Sequence, residues 1–413
     1  MGAQSPWRNH PAVYVVSGIT ALSLFGDALL YSILPLYAGD LGIPLLAVGI
    51  ILSMNRWVRL GTNPLAARVY DRQGLFRPLL GAMILAVLST FLYSRAWGLA
   101  VFLLARALWG LSWSHLRLGS LLVILSTSGS SLGLAIGTHH ALTRLGSAFT
   151  SVVGGLLVDR GGYQWGLTIM TILSSLGIFL VVGLRRLLPS GLEDTKQRTT
   201  AQQGGNLAVP ELSPSMCYAG GFTVSFVSAG VIVSSLSLVL QQRLGDAVSL
   251  GSWTLGIATI SGLLFAVRWT SSLVIAPLVG RLIDLTGRVR VFRLLTLVMV
   301  VALLIFGGVL NPLVTVVVAC LLFFAGNSLE VVFDTAIGDT TYQEGEEATT
   351  TRLSRYASFY DLGAASGPVV AYYLGSRIGF EWSFYLGAGL MFILLAIDVL
   401  DLFPMGVPAD EQM

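Results

Sequence analysis

The chain has 413 residues, of which 54% are hydrophobic and 11% charged, with a formal net charge of +3. Soluble domains carry about 25% charged residues to cover their surface, so this composition excludes a string of soluble domains and points to lipid as the solvent. Lys196 is the one lysine and no GxxxxGK[ST] run occurs, which argues against a pump driven by nucleotide hydrolysis. Cys217 and Cys320 sit in apolar runs without metal-ligand or disulfide spacing and read as small buried hydrophobes. HExxH and CxxC are missing and the carboxylates are dispersed, so the expectation is a non-enzyme with no cofactor and no metal.

A membrane helix needs about 20 mostly apolar residues. The runs 13–37, 45–67, 78–94, 98–125, 131–158 and 164–184 each meet that length. No small-residue cleavage site follows the first run, which is therefore expected to be retained, and the myristoylation pattern after Met1-Gly2 is out of register. A polar stretch over 187–213, with Glu193, Asp194, Lys196 and Arg198, has the composition of a flexible linker. Six more runs follow at 215–240, 250–279, 292–310, 312–337, 347–375 and 382–403. The expected fold class is an all-α membrane protein with 12 transmembrane helices. Its divisions are a first six-helix bundle over 1–186, a cytoplasmic linker over 187–213 and a second six-helix bundle over 214–413. With the N-terminus placed inside, 13 arginines and lysines fall in cytoplasmic segments. Four fall on the other side: Arg95, Arg160, Arg243 and Arg377. That bias predicts a multi-pass protein of the cytoplasmic membrane with both termini cytoplasmic.

Ionisable residues inside spans are costly and functional by default. On the first span Asp27 is placed to carry a proton, with a structural hydrogen bond as the plain alternative. On the second, Arg56, Arg59 and Asn63 share one helical face, and Arg268-Trp269 echoes Arg56-Trp57 on the eighth. Arginine suits bidentate binding of carboxylate or phosphate, so a substrate anion and an internal partner such as Asp361 stand as equal readings. On the fourth span Arg106, Gly110, Trp113 and Arg117 form a stripe. On the fifth, Gly133, Gly137, His140 and Arg144 form another, whose glycines would permit a close helix contact; His140 reads as a titrating group or a satisfied histidine. On the tenth, Asn327, Glu330 and Asp334 share a face. A cytoplasmic gate pairing Arg117 with Glu330 or Asp334 is expected, against a merely solvated helix end.

The halves repeat. Asn63–Gly74 aligns with Ala276–Gly287, with Pro, Leu, Arg, Asp and Gly coinciding at an offset of 213; Arg77 matches Arg290. Leu145-Gly146, Arg160 and Trp165 match Leu362-Gly363, Arg377 and Trp382 at an offset of 217. Two repeated halves place a solute site at their interface near mid-membrane.

The loop after the second span reads Ala67, Asp71, Arg72, Gly74 and Arg77, and its copy reads Gly280, Asp284, Gly287, Arg288 and Arg290. This resembles the major facilitator superfamily, as does Arg106-Ala107-Leu108-Trp109-Gly110, which is similar to that family's RxxxG pattern. The resemblance implies two six-helix bundles related by a pseudo-two-fold axis, and a monomer. It implies a conformational latch at Asp71, Arg72, Gly74, Arg77, Gly280, Asp284, Gly287 and Arg290, and a part in proton coupling for Arg106. The family's antiporter signature on the fifth span is replaced by Thr150-Ser151 before Gly154-Gly155, while Gly367-Pro368 stands on the eleventh. Basic groups gather in the first half and Glu330, Asp334 and Asp361 in the second. The expected function is thus proton-coupled carriage of a small anionic or amphipathic organic solute, with Asp27 and Arg106 coupling protons and Arg56, Arg59, Arg144, His140, Arg268 and Asp361 meeting the solute. The alternative is a multidrug-type proton antiporter. The expected partners are that solute, protons and the lipid bilayer, without nucleic acid.

Overall fold

The computed structural model describes residues 10–128, 131–188, 212–250, 253–308, 311–341, 346–400 and 402. Residues 189–211 of the expected linker lie outside them, as do Arg8, Lys196 and Arg198, three of the charges used for orientation.

Among the described residues twelve helices are long enough to cross a membrane. They are α1 (Pro11–Tyr37), α2 (Leu45–Gln73), α3 (Phe76–Arg95), α4 (Leu99–Ser128), α5 (Leu132–Gly161) and α6 (Tyr163–Leu184), then α7 (Pro214–Leu244), α8 (Ile257–Thr286), α9 (Arg288–Gly308), α10 (Pro312–Thr341), α11 (Glu346–Arg377) and α12 (Glu381–Val399). Ten are also apolar enough by composition alone. The other two are α2 and α11, the helices that carry Arg56 and Arg59 and Asp361. A short antiparallel hairpin, β1 (Ala247–Leu250) with β2 (Trp253–Gly256), joins α7 to α8.

Helix limits follow local chemistry. Ser213 caps α7 by accepting from the Met216 N–H, with Pro214 at the first helical position. Gly74 ends α2 at φ 71° and Gly287 ends α8 at φ 87°, a backbone region that favours glycine. These are matched positions of the repeat. Gly162 after α5 and Gly379 after α11 are a second such pair at φ 83° and 112°. Two helices are irregular inside: α1 breaks at Leu24, so Asp27 falls in the first turn of its second segment, and α7 winds as a π-helix over Ser225–Ile232.

Contacts divide the chain into two compact units. One holds residues up to 201 and Leu236–Thr270; the other holds Gln202–Ser235 and Ser271 onward. In the first, α4 packs on α2 and α3, α3 on α6, and α1 on α5 and α6. Val16, Ile19, Leu79, Met83, Trp109, Leu116 and Val181 form its buried apolar centre. In the second, α9 packs on α10 and α12, and the start of α7 on α10 and α11. Edge-to-face pairs Phe306–Phe384 (4.8 Å) and Phe292–Phe333 (5.5 Å) fill its interior.

The outer surface is apolar: Phe179 is 71% exposed, Leu313 73% and Phe392 60%, as a lipid-facing shell requires. Trp97, Trp165 and Trp382 are exposed near helix starts, where the amphipathic indole suits a membrane–water boundary. Several buried hydroxyls are satisfied on the helix that carries them: Ser17, Thr20, Thr90, Thr150 and Ser151 each donate to the carbonyl four residues back.

Candidate functional site

The first unit is built around a fully buried cation. Arg106 of α4 is fully buried. Its Nη1 donates to Asp27 Oδ1, its Nε to the Ile51 carbonyl at 3.1 Å, and its Nη2 to the Leu52 carbonyl at 3.0 Å and the Tyr31 hydroxyl at 3.1 Å. The guanidinium also stands 5.3 Å from the centre of the Tyr31 ring. A buried charge is tolerated only when its donors are satisfied, and here carboxylate, carbonyls and hydroxyl share the task. Gly110, one turn along α4, makes this geometry available: a Cβ there would meet the Asn55 carbonyl at 2.6 Å. The small residue lets α4 lie against α2, within reach of the carbonyls of Ile51 and Leu52. The Asp27 side chain, by contrast, is 15% exposed. The structure therefore unites two residues that the sequence placed on separate spans, and it adds Tyr31, one turn beyond Asp27, which the sequence reading missed.

A second cationic group occupies α4, α5 and the first half of α8. Arg117 and His140 are exposed and Arg144 is half-buried. The Arg144 guanidinium lies 5.0 Å from the Trp269 ring centre and that of Arg268 lies 4.6 Å from it, so one indole faces two arginines. Arg117 and Arg144 both act electrostatically on His140. His139 faces elsewhere, with Nδ1 3.2 Å from Ser17 Oγ on α1. At Gly133 and Gly137, a pair that would permit a close helix contact, both residues are exposed, and among the described residues nothing lies within 4 Å of a Cβ at either. The close approaches of α5 come farther along, at Gly146 against Ala21, at Gly154 against Leu29 and at Gly155 against Ala258. Glycine spacing marks where helices are able to meet, and at Gly133 and Gly137 it leaves an open small-residue stripe beside His140 and Arg144. On α2, Arg56 and Arg59 are half-buried and engaged, and Asn63 accepts from Ser114 Oγ at 2.8 Å.

In the second unit the acids are held by tyrosines. Tyr360 donates to Glu330 Oε1 and Tyr356 to Asp334 Oδ1, both at 2.8 Å. The two carboxylates are four apart on α10 and the two phenols four apart on α11, so the bonds form parallel rungs. The periodicity that identified the acids applies equally to the tyrosines, but a phenol on a membrane helix carries no signal of its own. Asn327 donates to Ser271 Oγ at 3.0 Å, and Asp361 is buried and engaged.

The repeated loops keep their turn. Gly74 and Gly287 make the left-handed turns. Asp71, Arg72, Arg77, Asp284 and Arg290 are exposed, and nothing lies within 4 Å of a Cβ on Gly280. Arg290 reaches back to the Thr286 carbonyl at 3.5 Å. Among the described residues, groups of three or more metal-ligating side chains are absent.

The sequence profile of the Major Facilitator Superfamily matches residues 16–271 and, in a second overlapping match, 218–409. The multidrug resistance protein MdtG of Klebsiella pneumoniae (strain 342) is 24% identical over 380 residues, spanning 88% of this chain and 87% of the relative. The protein of the same name from Rahnella sp. (strain Y9602) is 25% identical over 372 residues, 87% and 86% of the two chains. Among solved structures, a bacterial homolog of the human lysosomal transporter Spinster, inward-facing and occupied, superposes with a TM-score of 0.77 at 14% identity, covering 98% of this chain and 100% of that one. The nucleoside transporter NupG superposes with a TM-score of 0.74 at 12% identity, over 95% and 99%. At these identities the structures carry the fold alone.

Proposed function

We propose, from the premise that the chain belongs to the Major Facilitator Superfamily, that it is a proton-coupled secondary transporter moving a small anionic or amphipathic organic solute by alternating access. The observation that carries this reading is the Asp27–Arg106 pair. One partner is sealed and the other reaches the surface. Such a pair can change charge at the carboxylate alone: when Asp27 takes a proton, Arg106 loses its counter-charge and keeps the carbonyls of Ile51 and Leu52 and the Tyr31 hydroxyl. The guanidinium stays anchored while its hold on α1 weakens from an ion pair plus the Tyr31 bond to neutral hydrogen bonds, and protonation thereby becomes a change in how α1 is held.

Arg144 and Arg268 against Trp269, with His140 one turn from Arg144 on α5, supply the chemistry for the solute: positive charge for an acidic group beside an aromatic face for an apolar one. Arg56, Arg59 and Asp361 are assigned to the same task. Arg117 is assigned as the partner of Glu330 or Asp334 in a cytoplasmic gate, which requires those acids to exchange their tyrosine bonds for an ion pair during the cycle. The exposed loop charges Asp71, Arg72, Arg77, Asp284 and Arg290, with the turn glycines Gly74, Gly280 and Gly287, form the latch of another state. The protein works as a monomer in the cytoplasmic membrane, with both termini inside.

The relatives' name favours a second reading, a multidrug-type proton antiporter. Proteoliposomes under an imposed pH gradient separate the two. An anionic dye such as carboxyfluorescein moved by the wild type and lost in Asp27→Asn supports the first. Ethidium moved with the same dependence on Asp27 supports the second. A gradient-driven flux of either dye that Asp27→Asn leaves intact removes Asp27 from coupling.

A further inference from the structure

The end of α5 is fastened to the start of α8 by groups that the proposed transport site does not use. The Asp159 carboxylate accepts from the backbone N–H of Ala258 at 3.3 Å and of Thr259 at 2.8 Å, and from the Thr259 hydroxyl. These are N–H groups of the first turn of α8, which a helix leaves without acceptors of its own, and a carboxylate there also meets the positive end of the helix dipole. Alongside, the two helices touch through backbone. A Cβ on Gly155 would lie 2.5 Å from the Ala258 carbonyl oxygen, one on Gly262 would run into the Ser151 carbonyl, and one on Gly256 into the Asp159 carboxylate. Ser151, Gly155 and Asp159 are spaced by four along one face of α5.

Two features set this contact apart from ordinary core packing. Glycine and serine faces bury little apolar area, so the directional bonds to Asp159 do most of the holding. The helices also come from different repeats: α8 carries the block Ala276–Gly287 that duplicates Asn63–Gly74 of α2, while α5 belongs to the first copy. In a carrier built from two repeats, alternating access parts helices of different repeats on one face of the membrane at a time. We propose that Asp159 is a releasable clasp, which caps α8 to hold it on α5 in this state and lets go when that face opens.

The proposal rests on the reading of the chain as an alternating-access transporter, and its test needs no transported solute. With Cys217 and Cys320, the two free thiols, replaced by serine, Ser151→Cys serves as a reporter. Ser151 is fully buried and its carbonyl lies under Gly262, so a membrane-impermeant maleimide labels it when α8 leaves α5. In lipid nanodiscs the reporter is expected to label slowly, and at least tenfold faster with Asp159→Ala. Asp159→Asn, which keeps the volume and loses the charge, carries the same direction if the alanine variant fails to fold. Adding the pair D159C/T259C replaces the clasp by a disulfide. Oxidation is expected to slow labelling of the reporter at least tenfold, and reduction to restore it. Equal labelling of the oxidised and reduced pair would show that α8 does not leave α5 even without the carboxylate, and an unchanged rate in both Asp159 variants would show that the carboxylate holds nothing; either result overturns the clasp. Failure of proton-driven dye transport with intact clasp behaviour would instead count against the proposed function.

Discussion

Arg106 is the residue on which the first unit depends, because its charge is fully buried and its cost is met only by neighbours in fixed places. Removing one member of a buried ion pair destabilises by about 3–5 kcal/mol, because the survivor is left charged and unpaired. Arg106→Ala is therefore expected to lower the thermal midpoint in detergent by more than Asp27→Asn does, since the amide of the latter still accepts from the guanidinium. The double variant Arg106→Ala/Asp27→Asn should recover part of the loss, because no carboxylate is then stranded. A double variant less stable than both singles would mean that the two side chains do not act as a pair. Arg106→Lys is not a conservative change here: an ammonium cannot fan its donors to the carbonyls of Ile51 and Leu52 and to Tyr31 as the planar guanidinium does. The residues of this pair were legible in the sequence because charge inside an apolar run stands out. Tyr31, Tyr356 and Tyr360 were not, because tyrosine is ordinary in membrane helices and only a three-dimensional neighbour gives its hydroxyl a role.

At the scale of single helices, a close interlock joins α7 and α11. The π-helical stretch Ser225–Ile232 faces Gly363, Gly367 and Pro368. A Cβ on Gly367 would stand 2.5 Å from both the Gly230 Cα and the Phe226 carbonyl oxygen. Ser225 and Tyr372 then stitch the pair by donating to the carbonyls of Tyr360 and Ser234, both at 2.7 Å. Every atom that a new methyl group would strike is backbone, so Gly367→Ala has no cheap relief and is expected to cost about 1–3 kcal/mol as overpacking. Gly389→Ala on α12, where nothing lies within 4 Å, is the control and should stay within about 0.5 kcal/mol of wild type. Thermal unfolding in detergent compares them, and equal midpoints would mean that α7 and α11 do not pack this closely. The sequence gives no warning of the π turn, since a run such as Ser225–Ile232 has the apolar content of any buried helix. Gly367-Pro368 was noticed as a dipeptide, but its partner on α7 was not visible. The β1–β2 hairpin was missed for a related reason: Ala247–Gly256 lies where an apolar run was being extended into α8.

At the scale of the whole molecule, the repeat made the architecture legible. It ties α2 to α8 and α5 to α11, while α2 and α11 are the two helices that stand below the others in apolar composition. It also pairs Gly74 with Gly287 and Gly162 with Gly379, all at positive φ. The same sequence argues for orientation. With alternating spans read from the sequence, thirteen arginines and lysines are expected in segments on the N-terminal side and four in the opposite ones. Short loops rich in arginine resist translocation, and each half of the chain shows the bias independently, Arg68, Arg72 and Arg77 in the first and Arg281, Arg288, Arg290 and Arg293 in the second. Green fluorescent protein fused after Met413 is therefore expected to fluoresce, since it folds in the cytoplasm, whereas alkaline phosphatase inserted at Gly162 should be active only outside. The bias can also be weakened. Arg72→Gln with Arg77→Gln leaves the second half to hold orientation, so the C-terminal fluorescence should persist, while removing all seven of these arginines should yield mixed topology. A silent C-terminal fusion beside an active phosphatase after Met413 would invert the assignment and place the Asp159 clasp on the cytoplasmic face.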